Sequence, residues 1–369
     1  MHAETRPREA LTIRGVRTVA VEVPMRFALG TSLATIRSAP LLLIDITTEE
    51  GVTGRTYLWC YSPTGARVLA MLIQDAVAQV KGQPVAPVDI AAVLARRFGL
   101  VGVVGLVRMA LSAIDAALWD ALAIAAGLPL ASYLGSAPRR LKAYNSNGLG
   151  LMQPEAVADE AVALLEGGFK AVKLRLGRDS FAEDLAATRA VRRRLPDEIE
   201  IMVDFNQGLG TVEAIRRGRV LQDEGISWFE EPIRHDDYAG NAQIARELTV
   251  PVQLGENFNG PQGMAEALAA DACDLVMPDL ARIGGVTGWL HAAGLAAARG
   301  IPMSSHLFPE VSAHLLAATP TCHWLEYVDW AGPLVQEPLR IENGEAIIPD
   351  RPGSGLVWDE QALAIFVKM

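Results

Sequence analysis

Residues 199–206 read IEIMVDFN, an apolar run that stops on a carboxylate, Asp204. The pattern recurs at a near-constant interval. ISWFEEP (226–232) carries Glu230, 26 residues after Asp204, and VPVQLGEN (250–257) carries Glu256, another 26 on. CDLVMPDL (273–280) reaches Asp279, IPMSSHL (301–307) reaches His306, and CHWLEYV (322–328) carries Glu326. Upstream, AVKLRLG (171–177) places Lys173 and Arg175 two residues apart. One strand plus one helix consumes about this interval in a βα barrel, where ~250 residues make eight units. Charged groups at the C-terminal ends of successive parallel strands gather at one mouth.

Working outward, LKAYNSNGL (141–149) supplies a first strand. Helical patterns such as PEAVADEAVALLEGG (154–168), FAEDLAATRAVRRRL (181–195) and GGVTGWLHAAGLAAARG (284–300) lie between the strands. Strictly alternating strands and helices predict an α/β chain with a parallel TIM-type barrel. The N-terminal part differs. TIRGVRTVAVEVP (12–24) alternates as a half-buried strand does, and LLLIDITTEEGVTGRTYLW (41–59) reads as two strands around a Glu-Gly turn. Helical runs follow, the longest being GLVRMALSAIDAALWDALAIAAG (105–127). Strands followed by helices indicate an α+β unit. GSAPRR (135–140) marks the boundary, so the expected domains are 1–138, 139–335 and a C-terminal segment 336–369. In that segment LRIENGEAIIPD (339–350) carries strand signals and is expected to rejoin the first domain.

Half of the 369 residues are hydrophobic and 21% are charged, which excludes a disordered chain. A net charge of −10 argues against nucleic acid or an anionic membrane surface as partner. It leaves a small anionic substrate open, because a metal and a few cations can dominate one site. Cys60, Cys273 and Cys322 are scattered and odd in number, so packed free thiols are expected. The N-terminus shows no secretory pattern, and the apolar run 121–138 is broken by Gly127, Pro129 and Ser132. A cytoplasmic protein is the expectation.

The strand-end residues define a chemistry. Three carboxylates on consecutive strands, with no Cys or His among them, call for a hard cation: Mg²⁺, with Mn²⁺ as substitute. Asp279 and His306 fall on neighbouring strands, where the carboxylate fixes the imidazole's tautomer and equips it as a general base. Period two sends Lys173 and Arg175 to one face, where anions must meet them.

KLR, VDFNQ, FEEP, LGEN, MPDLARIGG, MSSHL and HWLE, in this order and spacing, resemble the enolase superfamily, and mandelate racemase in particular. The resemblance implies a modified (β/α)7β barrel under an N-terminal α+β capping domain, with Mg²⁺ on Asp204, Glu230 and Glu256. It implies that His306, oriented by Asp279, removes the α-proton of a 2-hydroxycarboxylate by way of an enediolate. Glu326 would hydrogen-bond the substrate carboxylate, which Lys173 and Ser146 also contact, and Asn206 would meet the α-hydroxyl. A homo-octamer or dimer is implied as well. FALGTSLATIRSAP (27–40) resembles the family's lid loop and presents Leu29, Thr31, Leu33 and Ile36, with Tyr57 and Trp59 nearby. Apolar lid residues suit an aryl or alkyl substituent. Arg175 departs from mandelate racemase, which has at this place the lysine that serves as its second base. A guanidinium holds its proton far more firmly than an ammonium. The alternatives are therefore an acid-sugar dehydratase working through His306 alone and, from another class, a non-catalytic member of the family.

Overall fold

The computed structural model describes residues 10–31 and 34–367. Strands β1 (Ile13–Gly30), β2 (Thr35–Thr48) and β3 (Thr53–Trp59) form an antiparallel sheet in that order. β2 is central, and its LLLIDI run is buried on both faces. Helices Pro63–Val80, Pro87–Arg97 and Gly105–Ala126 complete the cap. The last of these is long and apolar enough to cross a membrane, but 72% of its apolar window is buried inside the molecule. Packing between the cap sheet and the barrel accounts for its composition.

The barrel strands are β4 (Arg140–Asn145), β5 (Ala171–Arg175), β6 (Glu200–Asp204), β7 (Phe229–Glu230), β8 (Val252–Leu254), β9 (Leu275–Val276) and β10 (Leu325–Tyr327). Each of β4 to β8 pairs in parallel with the next, and β10 pairs in parallel with β4. The gap between β9 and β10 is filled by residues 302–306, through parallel bridges Val276↔Met303, Asp279↔His306 and Met303↔Cys322. The ring therefore closes as a capped (β/α)7β barrel. Its register sets the site: Arg175 lies opposite Asp204, Asp204 opposite Glu230, and Asp279 opposite His306. Charged strand ends are thus at one level around the mouth.

Two expectations are corrected. The C-terminal hairpin, β11 (Arg340–Glu342) and β12 (Glu345–Ile347), does not rejoin the cap; β12 pairs antiparallel with β4 of the barrel. Only the segment beyond that hairpin reaches the cap, where Ser354 donates to Asp120, Trp358 Nε1 to Asp45 (2.6 Å), and Arg17 pairs with Glu360. The lid is a β-hairpin extension of β1 and β2, not a loop, with Leu29 opposite Ile36 and Gly30 opposite Thr35. It rests on the segment after β4: a Cβ on Gly150 would lie 2.7 Å from the Gly30 nitrogen, so the two backbones touch. The three cysteines are free thiols, Cys60 and Cys273 buried and Cys322 partly so.

Candidate active site

The oxygens of Asp204, Glu230 and Glu256 converge, with one ligand atom of each within 4.8 Å of the others. Each carboxylate is steadied from outside the trio. Asn206 donates to Asp204 through its backbone (2.7 Å) and its side chain (3.0 Å). Trp228 Nε1 (2.9 Å) and Gln253 Nε2 (3.2 Å) donate to Glu230 Oε2, and Asn257 Nδ2 donates to Glu256 Oε1 (3.1 Å). Burial, opposed by Lys173 and reinforced by Asp204, Glu326 and Glu256, lifts the Glu230 carboxyl to about 7. Like charges packed this closely fit a divalent cation among oxygen-only donors. The Asn206 Oδ1 beside them is buried with no protein partner, as a group reserved for a ligand would be.

Lys173 is buried at the centre. Its Nζ meets Glu230 Oε1 at 2.6 Å, Glu326 Oε1 at 2.9 Å and Asp204 Oδ2 at 3.4 Å. Burial alone would depress the ammonium, but Glu230 and Glu326 hold it well above its ordinary value. The reciprocal effect outweighs burial at Glu326, whose carboxyl is held far below the usual range by Lys173 and His306. Glu326 Oε2 also accepts the Leu307 N–H at 2.8 Å.

His306 Nδ1 is 2.7 Å from Asp279 Oδ2, and Nε2 is 3.3 Å from Glu256 Oε2. Asp279 accepts in turn from the backbone N–H groups of Ala281 and Arg282. Burial would lower the imidazole, but Glu256, Glu326 and Asp279 raise it to about 9. A cation held by Glu256 would cancel part of that attraction and lower the imidazole again. Arg175 is also buried here. Its Nη1 donates to the Gly148 carbonyl at 2.7 Å, and its Nη2 to the Ser146 carbonyl (3.0 Å) and hydroxyl (3.1 Å).

A cavity of about 320 Å³ stands over these groups. Lys173, Arg175, Asp204, Asn206, Gln207, Glu256, His306 and Glu326 give it one polar wall. Leu29, Ile36, Trp59, Tyr61, Leu307 and Trp330 give it an apolar wall. Leu33 lies outside the described residues. Tyr57 is a correction: it does not line the cavity. It is buried against Phe308 (ring centroids 5.2 Å apart), and its hydroxyl donates to Glu310 at 2.6 Å. Ser146 does not line the cavity but touches the site through Arg175 and through a side-chain hydrogen bond to Glu326.

Sequence reasoning missed Tyr61, Gln207, Trp330 and a fourth buried carboxylate, Glu231, which accepts from Asn257 at 3.0 and 2.9 Å. Strand alternation would point Glu231 away from Glu230, but its φ of 37° turns the chain. Asn206, Gln207, Leu307 and Tyr61 are also left-handed, so backbone strain concentrates around this mouth. The second Glu of FEEP was the available signal.

Comparison with known proteins identifies the family. Residues 13–135 match the family described as mandelate racemase / muconate lactonizing enzyme, N-terminal domain, and residues 156–362 the family described as enolase C-terminal domain-like. The chain belongs to the enolase superfamily. A solved enolase-superfamily structure from alpha proteobacterium BAL199 with bound magnesium is 47% identical (TM-score 0.95), over 97% of this chain and 100% of that one. Another, from Bradyrhizobium with magnesium and mandelic acid, is 41% identical (TM-score 0.93), over 98% and 100%. L-Talarate/galactarate dehydratase of Salmonella typhimurium is 39% identical over 263 residues, which are 71% of this chain and 66% of that protein's length. This chain is likewise an enzyme of the superfamily's isomerase and lyase kind, with enolase-type chemistry and Mg²⁺ as cofactor.

Proposed function

We propose that the chain removes the α-proton of a 2-hydroxycarboxylate bearing an apolar substituent, a mandelate racemase-like substrate, with His306 as the base. The observation that carries this is the orientation of His306. Asp279 holds Nδ1, which leaves Nε2 free to face the cavity beside Glu256. Bound by Asp204, Glu230 and Glu256, Mg²⁺ supplies Lewis-acid stabilisation of the charge that grows on the substrate carboxylate. Lys173 exchanges one of its three carboxylate contacts for a substrate carboxylate oxygen. Glu326, beside Lys173, faces the same carboxylate and is placed to hydrogen-bond the oxygen on which enediolate charge develops. Asn206 Oδ1 accepts a hydrogen bond from the α-hydroxyl. The apolar wall receives the substituent, where a polyol would leave hydroxyls unpaired.

Arg175 leaves the opposite face of the α-carbon without a base, since its donors are engaged by Ser146 and Gly148. The same tie favours the second reading, an acid-sugar dehydratase. In that case His306 abstracts the proton and then returns it to a departing β-hydroxyl, and the similarity to L-talarate/galactarate dehydratase supports it. The test is α-proton exchange in D₂O, followed by NMR on each enantiomer of mandelate and on a panel of aldonates and aldarates. One enantiomer should exchange, with retention. In His306→Asn the exchange should fall about 10³-fold or more while Mg²⁺ still binds. Equal, rapid racemisation of both enantiomers would overturn the one-base assignment. Cation binding without exchange on any acid would indicate a non-catalytic protein.

A further inference from the structure

Arg282 ends up at the centre of a chain of contacts that joins the cap to the cation site. It lies on the short helix Leu280–Ile283, and its backbone N–H donates to Asp279 Oδ1 at 3.1 Å. Its guanidinium grips two neutral groups. Nη1 donates to Asn257 Oδ1, and Nη2 donates to the Tyr61 hydroxyl at 2.7 Å, with the guanidinium carbon 5.3 Å from the Tyr61 ring centroid. Asn257 extends the chain, because its Nδ2 donates to Glu256 Oε1 and to both oxygens of Glu231. A guanidinium has donors only, so its contact fixes which end of the Asn257 amide faces the carboxylates.

Tyr61 shows that the contact is held against a cost. It is 45% exposed, and its backbone is left-handed at φ 59°. For a bulky residue that conformation is strained and persists only where the surroundings enforce it. The ring stands edge-on to Trp59 at 5.6 Å, within the apolar wall, and the hydroxyl reaches across to the barrel. No catalytic step uses Tyr61 or Arg282, yet together they link the wall that meets the substituent to a carboxylate of the cation trio.

We propose that Arg282 is a positioning residue that couples the cap-side wall of the cavity to the cation site, through Asn257 on one arm and Tyr61 on the other. The inference rests on the reading of Glu256 as a cation ligand. With both arms engaged, Asn257 holds Glu256 Oε1 and leaves Oε2 toward the cavity. With the Tyr61 arm released, Arg282 and Asn257 gain alternative rotamers and the trio is less well ordered. Coupling is reciprocal, so a ligand that packs Tyr61 in place tightens the cation, and the cation tightens that ligand.

Tyr61→Phe deletes one hydroxyl and keeps the ring in the wall. Mn²⁺ affinity of the substrate-free protein, read from the EPR signal of free Mn²⁺, is the measurement. Removing a group that orients a metal ligand costs affinity by roughly 10–100-fold. We expect about that loss in Arg282→Met and roughly a threefold to tenfold loss in Tyr61→Phe. The double variant should bind as Arg282→Met does, because both act through one chain. The melting temperature of Tyr61→Phe should match the parent's, which a merely structural role would not predict. Parental Mn²⁺ affinity in Tyr61→Phe overturns the coupling, whatever Arg282→Met does. Glu256→Gln separates the two readings. If the parent binds Mn²⁺ no better than Glu256→Gln does, the cation assignment itself falls. If only Glu256→Gln loses binding, the cation site stands and the coupling alone falls.

Discussion

Tyr57 is the residue where identity alone misled, and Arg175 the one where identity told half the story. Arg175 was legible as a departure, and the structure supplies its employment: a clamp on the carbonyls of Ser146 and Gly148. Arg175→Lys keeps a cation but loses the planar fork that makes those contacts. We expect a loss of about 1–3 kcal/mol in urea unfolding. We also expect slow exchange on the previously silent enantiomer, read by NMR in D₂O, as a freed ammonium reaches the second face. Tyr57 was singled out for its neighbourhood, but the YLWCY stretch does not say which aromatic meets the cavity. Phe308 and Glu310, from a distant part of the chain, decide that by taking Tyr57 into the interior. The convergence of Asp204, Glu230 and Glu256 and the His306–Asp279 contact were legible because period and register put them at one level. Glu231, Asn257 and Arg282 were not, because left-handed turns and a one-turn helix break the period on which such reading depends.

Between elements, the pair Gly284–Gly285 reads in sequence as ordinary loop glycine, and packing shows otherwise. Helix Gly285–Arg299 has no side-chain cap of its own. Asp115, from the cap helix Gly105–Ala126, supplies one, accepting from the Thr287 N–H at 2.9 Å and from its hydroxyl. That approach leaves no space at Gly285, where a Cβ would lie 2.4 Å from Asp115 Oδ2 and 2.6 Å from the Ser112 carbonyl, at a φ of +70°. Gly285→Ala should therefore cost about 2–4 kcal/mol, as strain plus a displaced cap helix, measured by urea unfolding. Gly294→Ala, on the same helix with open space around it, is the control and should be neutral or stabilising.

In the whole molecule, the barrel and the cap sheet were legible from alternation and from order along the chain. The destination of the C-terminal hairpin was not, since either edge would have satisfied its strands. The cap is held by buried carboxyls. Burial, opposed by hydrogen bonds from Thr287, lifts Asp115 to about 7, and burial opposed by Ser354 and Arg55 lifts Asp120 to about 6. Groups raised on folding contribute stability that is full below their unfolded values, near 4, and is lost as pH rises through 6 to 7. His314 and His323, lowered by burial to about 4, act oppositely, but only as pH falls below about 6.5. Between pH 6.5 and 8 the metal-free protein should lose on the order of 1–3 kcal/mol by urea titration, with His306 and Glu230 contributing in the same direction. Asp115→Asn should flatten that slope. Mg²⁺ should flatten it too, because a ligated Glu230 no longer retains its proton.

The hairpin over the mouth seats Leu29 directly opposite Ile36, and both face the cavity. Both arms are paired strands, so a residue gained or lost within one arm, between its paired base and Leu29 or Ile36, would shift that arm's register by one and turn the facing side chain to the other side. The length of each arm therefore sets which of its side chains meet the cavity, independently of the charged groups at the strand ends. A single codon gained or lost within an arm would thus remodel the cavity's apolar lining and leave the strand-end carboxylates and His306 where they are.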